Sequence, residues 1–94
     1  MSALLKTYNR KKVSFAKGKG CYLYSTDGKK YLDFVQGIAV NSFGHCHNYL
    51  VKTINKQSKK LWNVSNAFTI LEQERLAKRL TQNTFADYVA FQNS

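Results

Sequence analysis

The residues with the most chemistry to offer stand together at His45-Cys46-His47. Imidazole nitrogens and a thiolate are common zinc ligands, but a structural zinc site usually takes four ligands in paired spacings, and only Cys21 is left to join them. Neighbouring His and Cys are then read as packed or hydrogen-bonded side chains, and no metal ligands are assigned. Gly18-Lys19-Gly20 has the flavour of a phosphate loop. No helix opens after it and no Gly-Lys-Ser/Thr follows, so the cradle of amides is missing and a turn is the expectation. The serines and cysteines lack a nucleophile elbow or partner order, and no catalytic residue is assigned. Cys21 and Cys46 are too few for a disulfide framework and read as free thiols of a reduced, cytoplasmic chain.

Fifteen Lys and Arg against five Asp and Glu give a formal charge of +10. That balance suits a polyanion, an acidic partner or plain solubility. Basic residues interleaved with six Tyr and six Phe also fit a nucleic-acid surface, yet RNP-type, zinc-finger and helix-turn-helix signatures are absent. Lysines on the outer faces of helices then serve to solvate them. The start Met-Ser-Ala-Leu-Leu-Lys has no apolar stretch long enough for a signal peptide, and nowhere do about 18 apolar residues run together, so no membrane partner is expected.

These side chains need elements to position them. Ninety-four residues, 44% of them hydrophobic, make at most one small domain. Its fold class is expected to be α+β: a small antiparallel β-meander, two amphipathic helices and a terminal strand. Alternation runs from Val13 to Phe34, with Ser14-Phe15-Ala16 as a first short strand, Lys17-Gly18-Lys19-Gly20 as a turn, and Tyr22-Leu23-Tyr24 and Tyr31-Leu32-Asp33-Phe34 flanking the hairpin signal Asp27-Gly28. Gly37 to His47 has no period and reads as a loop. Leu50, Ile54 and Leu61 share one face of a helix, Lys52, Lys56, Lys59 and Lys60 the other, with Asn48 as its cap. Thr69-Ile70-Leu71-Glu72 has capping-box spacing and predicts a second helix, with Leu76 and Leu80 inward and Lys78 and Arg79 complementing its dipole. Tyr88-Val89-Ala90-Phe91 predicts the terminal strand.

Eight short strings in order resemble class III pyridoxal-phosphate-dependent aminotransferases, above all the acetylornithine type. They are Thr7-Tyr8-Asn9-Arg10, Tyr22-Leu23-Tyr24 with Asp27-Gly28, Tyr31-Leu32-Asp33-Phe34, Gly37-Ile38-Ala39-Val40-Asn41, Gly44-His45-Cys46-His47, Leu61-Trp62 with Val64-Ser65-Asn66, Glu72-Gln73-Glu74-Arg75-Leu76-Ala77, and Asn83-Thr84-Phe85-Ala86-Asp87. The resemblance implies the amino-terminal part of a fold-type-I homodimer several times longer. Such an enzyme moves an amino group between N-acetylornithine and 2-oxoglutarate on pyridoxal phosphate, in arginine biosynthesis. It implies a small-domain portion over about 1–68 and the start of the large domain over about 69–94. It also implies a substrate wall containing Ile38, and Asn66-Ala67-Phe68, with Asn66 and Phe68, as the stretch that approaches the site from the neighbouring subunit.

In that family Phe-x-Asn-Ser leads into Gly-Ala-Glu-Ala, whose turn and helix start hold the cofactor phosphate. Ser94, the last residue here, adjoins that loop. The ring-stacking aromatic, the Asp that pairs with the pyridine nitrogen and the Schiff-base lysine of the family have no counterpart in the 94 residues. The expectation is therefore a truncated segment, without bound cofactor or activity by itself, and with a separately encoded remainder as a possible partner. The alternative is a non-catalytic remnant or a basic nucleic-acid-binding module. Lys6, Asn48 and Leu71 stand where the family often has proline, and Asn63 where it often has histidine.

Overall fold

Three strands, β1 (Phe15–Lys19), β2 (Tyr22–Ser25) and β3 (Lys30–Leu32), form an antiparallel sheet in the order β1-β2-β3. The computed structural model describes residues 2–93, which divide between Lys56 and Gln57 into two units. The β2–β3 hairpin follows from its turn. Gly28 takes a φ of +84°, open to glycine at little steric cost, and its amide donates to the Ser25 carbonyl at 3.0 Å. The Ser25 hydroxyl accepts from the Lys29 amide at 3.0 Å and donates to the Asp27 carboxylate. This hydroxyl, and then the Lys29 ammonium at 3.1 Å, hold the Asp27 carboxyl below its ordinary value of 3.8.

The β1–β2 connection departs from expectation. Rather than turning over Lys17–Gly20, β1 continues through Lys19 and the turn is Gly20-Cys21, with Lys19 opposite Tyr22. Gly18 is a strand residue whose bare backbone meets another part of the chain. The register slips by one between Phe15 and Lys17, which leaves Ala16 as a bulge. Side chains then alternate by face. Phe15 and Tyr31 meet edge to face at 5.5 Å, while the ammonium groups of Lys30 and Lys17 stand 3.8 and 5.0 Å over the rings of Tyr22 and Tyr24.

The expected loop after the sheet contains one helical turn, α1 (Gln36–Ala39), followed by α2 (Asn48–Gln57). Asn48 is the first residue of α2 and not its cap; the carbonyl of His47 receives the first bond, from Val51, at 2.9 Å. Leu61 lies beyond the helix. At that end the Lys60 amide closes a tight bond to Gln57, the Trp62 indole donates to the Ser58 carbonyl at 2.6 Å and the Gln57 amide to that of Leu61 at 2.9 Å. These local bonds satisfy carbonyls that another turn of helix would otherwise have used.

The second unit carries α3 (Leu71–Asn83). Its cap is Ile70, which has no side-chain acceptor, so the capping box expected from Thr69 does not form. Glu72 and Glu74 do occupy the first turn, where they favour the helix dipole. Lys78 and Arg79 fall short of the last turn, and the terminal carbonyls of Arg79 and Leu80 are taken by Asn83 and Thr84 side chains at 2.7 and 2.9 Å. Tyr88–Phe91 pairs with no strand among the described residues, so the expected terminal strand is not formed: its ladder has no neighbour. No described apolar residue is buried, and among the described residues Ser25 alone is buried as a whole, backbone and side chain together. Leu50 and Ile54 on α2, and Leu76 and Leu80 on α3, remain open to solvent on faces patterned for burial.

Candidate functional site

Asp33, just past β3, organises the first unit. Its amide donates to the Cys21 carbonyl at 2.8 Å, which extends the hairpin by one residue. Carboxylate Oδ1 accepts from the amides of Val35 and Gln36, both at 2.9 Å, and Oδ2 lies 2.7 Å from His45 Nε2. Only 6% of the Asp33 side chain and 18% of the His45 side chain remain exposed. The Gln36 amide first, then the His45 ring, with a smaller part from Val35, hold the Asp33 carboxyl below its ordinary value of 3.8. A carboxylate that accepts several N–H bonds is favoured in its charged form.

The backbone brings His45 to this carboxylate by pairing with Gly20, through bonds of 2.8 Å from His45 N and 3.0 Å from Gly20 N. The ring lies over Gly18. A Cβ at that position would stand 2.6 Å from His45 Cγ, so the mid-strand glycine makes room for the imidazole. Gly20, Cys21, Gln36, Asn41 and Gly44 complete a hollow around the pair that has no room for a water molecule.

From the Asp33 clasp the chain enters α1, and this turn is left-handed. Gln36, Gly37, Ile38 and Ala39 have φ values of +52°, +65°, +63° and +62°. Such a conformation costs an L-residue roughly 1–2 kcal/mol, and a β-branched residue there is an outlier. Bonds from Ile38 to the Val35 carbonyl (2.8 Å), and from Val40 and Asn41 to that of Gln36 (2.9 and 3.0 Å), stitch the turn. Ile38 is 87% exposed, so burial within this chain does not offset the strain. Strained backbone of this kind concentrates at functional sites.

The other sequence candidates fall apart from one another. His45 turns to Asp33, whereas the His47 ring lies 5.9 Å from that of Phe43, and both cysteines are free and exposed. No three His, Cys, Asp or Glu side chains among the described residues are placed to hold a metal ion. In the second unit Asn66 lines an open hollow with Asn63, Ile70, Gln73, Phe91, Gln92 and Asn93. Phe68 is outside that lining and exposed, on a turn closed by its amide to the Ser65 carbonyl at 3.0 Å. Ser94 lies outside the described residues. Sequence reasoning missed the Asp33–His45 pair. An Asp just past a strand, with free amides two and three residues on, is a local signal for the first half; His45, twelve residues away, carries none.

Comparison with known proteins gives a consistent result. An acetylornithine aminotransferase of Brucella melitensis is 50% identical over 91 residues, which cover 97% of this chain and 23% of that protein. Among solved structures, the N-acetylornithine aminotransferase of Stenotrophomonas maltophilia matches with a TM-score of 0.73 at 32% identity, over 80% of this chain and 21% of that one. The ornithine delta-aminotransferase of Plasmodium falciparum matches with a TM-score of 0.83 at 27% identity, over 89% and 22%. The chain thus spans about a quarter of the length of the curated relatives it matches. No helix among the described residues is long and apolar enough to cross a membrane. With residues 5–94 matching the aminotransferase class-III family model, and a sheet and helices that superpose on solved aminotransferases, the chain belongs to the class III aminotransferases.

Proposed function

We propose that these residues form the amino-terminal part of an acetylornithine- or ornithine-type aminotransferase, a cytoplasmic homodimer that moves an amino group between N-acetylornithine and 2-oxoglutarate with pyridoxal phosphate. The carrying observation is the 50% identity along 97% of the chain to an acetylornithine aminotransferase. In this reading residues from 1 to about 68 belong to the small domain and those from about 69 to 94 begin the large one. Ile38, Asn66 and Phe68 wall the substrate site, and Ser94 adjoins the phosphate loop. The strained, exposed turn under Ile38 supports the first of these roles.

Two hollows of the second unit do not fit the cofactor by themselves. Pyridoxal phosphate brings a phosphate dianion, yet these two hollows are lined by amides, apolar groups and the acid Glu74, with no lysine or arginine. In this reading the cofactor site needs groups beyond these, and the 94-residue polypeptide alone is expected not to transaminate. The test joins the 94 residues to the cofactor-bearing portion of an acetylornithine aminotransferase and measures amino transfer from N-acetylornithine. The joined enzyme is expected to turn over and the 94-residue polypeptide to be inert. Turnover by the polypeptide alone, or an inert joined protein that nevertheless binds its cofactor, would overturn the proposal.

A further inference from the structure

We infer that Asp33 and His45 are positioning residues for the substrate wall: the carboxylate, clamped by the imidazole, holds the left-handed turn that presents Ile38. The inference deepens the proposed function and rests on it for the role of Ile38, though its structural half stands on geometry alone.

Four successive residues with positive φ form an arrangement that the chain leaves unless its surroundings over-determine it. At the entry, the amides of Val35 and Gln36 are the first that a turn leaves without partners, and Asp33 Oδ1 takes both at 2.9 Å. Those two bonds fix where the turn begins and anchor its first residue, Gln36, which already has a positive φ. Asp33 itself is held twice, by its own amide on Cys21 and by its Oδ2 on His45, and it lines a hollow too tight for water. His45 is in turn fixed by its backbone pairing with Gly20 and by the absence of a side chain on Gly18. A contiguous path therefore runs from the sheet through imidazole and carboxylate to the backbone of α1. Neither Asp33 nor His45 faces the solvent as Ile38 does, so neither is placed to touch a substrate directly. Their effect has to pass through the turn.

The experiment uses the joined enzyme carrying Asp33→Ala, Asp33→Asn or His45→Ala. Asparagine keeps an Oδ1 acceptor for both amides and offers an N–H to the ring nitrogen, whereas alanine keeps neither. Expected for Asp33→Ala is a KM for the amino donor raised about tenfold, the scale of losing one apolar pocket contact, with kcat within about twofold and cofactor content unchanged. His45→Ala is expected to follow in the same direction, and Asp33→Asn to restore most of the loss. Crystal structures of the variants are expected to show Ile38 leaving positive φ in Asp33→Ala and keeping it in Asp33→Asn. Retention of the left-handed turn in Asp33→Ala, or equal losses of kcat and cofactor in both Asp33 variants, would overturn the inference. If the unsubstituted joined enzyme is inactive the proposed function fails, while the backbone of residues 36–39 in the Asp33→Ala structure still decides the positioning role.

Discussion

Isolating the 94-residue polypeptide from any covering protein is itself a perturbation with a calculable size. Its accessible surface is 9555 Å². Two separately compact units sharing 10.8 kDa in these proportions would expose about 6,700 Å² together, so about 2,900 Å² more is open than compact units of this mass leave open. One side of the largest obligate interfaces covers about this much, since such interfaces run from roughly 2,000 to over 5,000 Å² counted over both partners. The open side chains include Ile54 on α2, Leu71 and Leu76 on α3, and Trp62, Phe85 and Tyr88 outside the helices. The polypeptide by itself is therefore expected to show no cooperative thermal transition in scanning calorimetry. It should bind a hydrophobic dye strongly and show Trp62 emission close to that of indole in water. In the joined enzyme the dye should be excluded and the Trp62 emission shifted to the blue. A monomeric 94-residue polypeptide that unfolds in one sharp step, with an enthalpy on the order of 60 kcal/mol, would refute the reasoning.

Three further outcomes follow from the first unit and are read in the joined enzyme. Ile38→Gly removes a left-handed penalty of roughly 1–2 kcal/mol against glycine's extra chain entropy of about 0.5–1 kcal/mol, so the turn should tighten while KM for the amino donor rises. Slower amide exchange at Val40 and Asn41, by about two- to fivefold, would register the first effect. Because the folded Asp33 carboxyl titrates below 3.8, its contribution is complete above the unfolded value and is lost as pH falls through the lower folded one. The Val35 and Gln36 amide resonances should accordingly stay constant down to about pH 4 and move only in stronger acid. Gly18→Ala places a Cβ 2.6 Å from His45 Cγ and should cost about 1–3 kcal/mol, seen as a lowered melting temperature and a displaced His45 ring.

What the amino-acid order reveals depends on how far each decision reaches along the chain. Asp27-Gly28 marks its hairpin because the turn is settled within five residues, by Gly28's φ and the Ser25 hydroxyl. The two helices declare themselves by period, and their ends miss by a residue or more because caps depend on local bonds such as Trp62 to Ser58. Gly18 reads as a turn residue from sequence, yet its reason for being glycine is a histidine 27 positions later. Tyr88–Phe91 has the composition of a strand and no partner to make it one. Of the candidate site, the Gly37–Asn41 loop is singled out in the sequence by family resemblance. Its left-handed coil is not, because isoleucine and alanine at positive φ run against local preference and the Asp33–His45 clasp at its entry is assembled in three dimensions.

The Asp33–His45 contact also acts as a drawstring. It cinches the segment between positions 33 and 45 into a closed ring of chain, and only Cys46 and His47 separate that ring from the first residue of α2. Closure entropy grows with the logarithm of ring length, about 0.6 kcal/mol for each doubling. Extra residues spliced in around Asn41 to Phe43 would therefore barely loosen the string. The loop after α1 can lengthen or shorten there while the base of α2 stays tethered to the sheet.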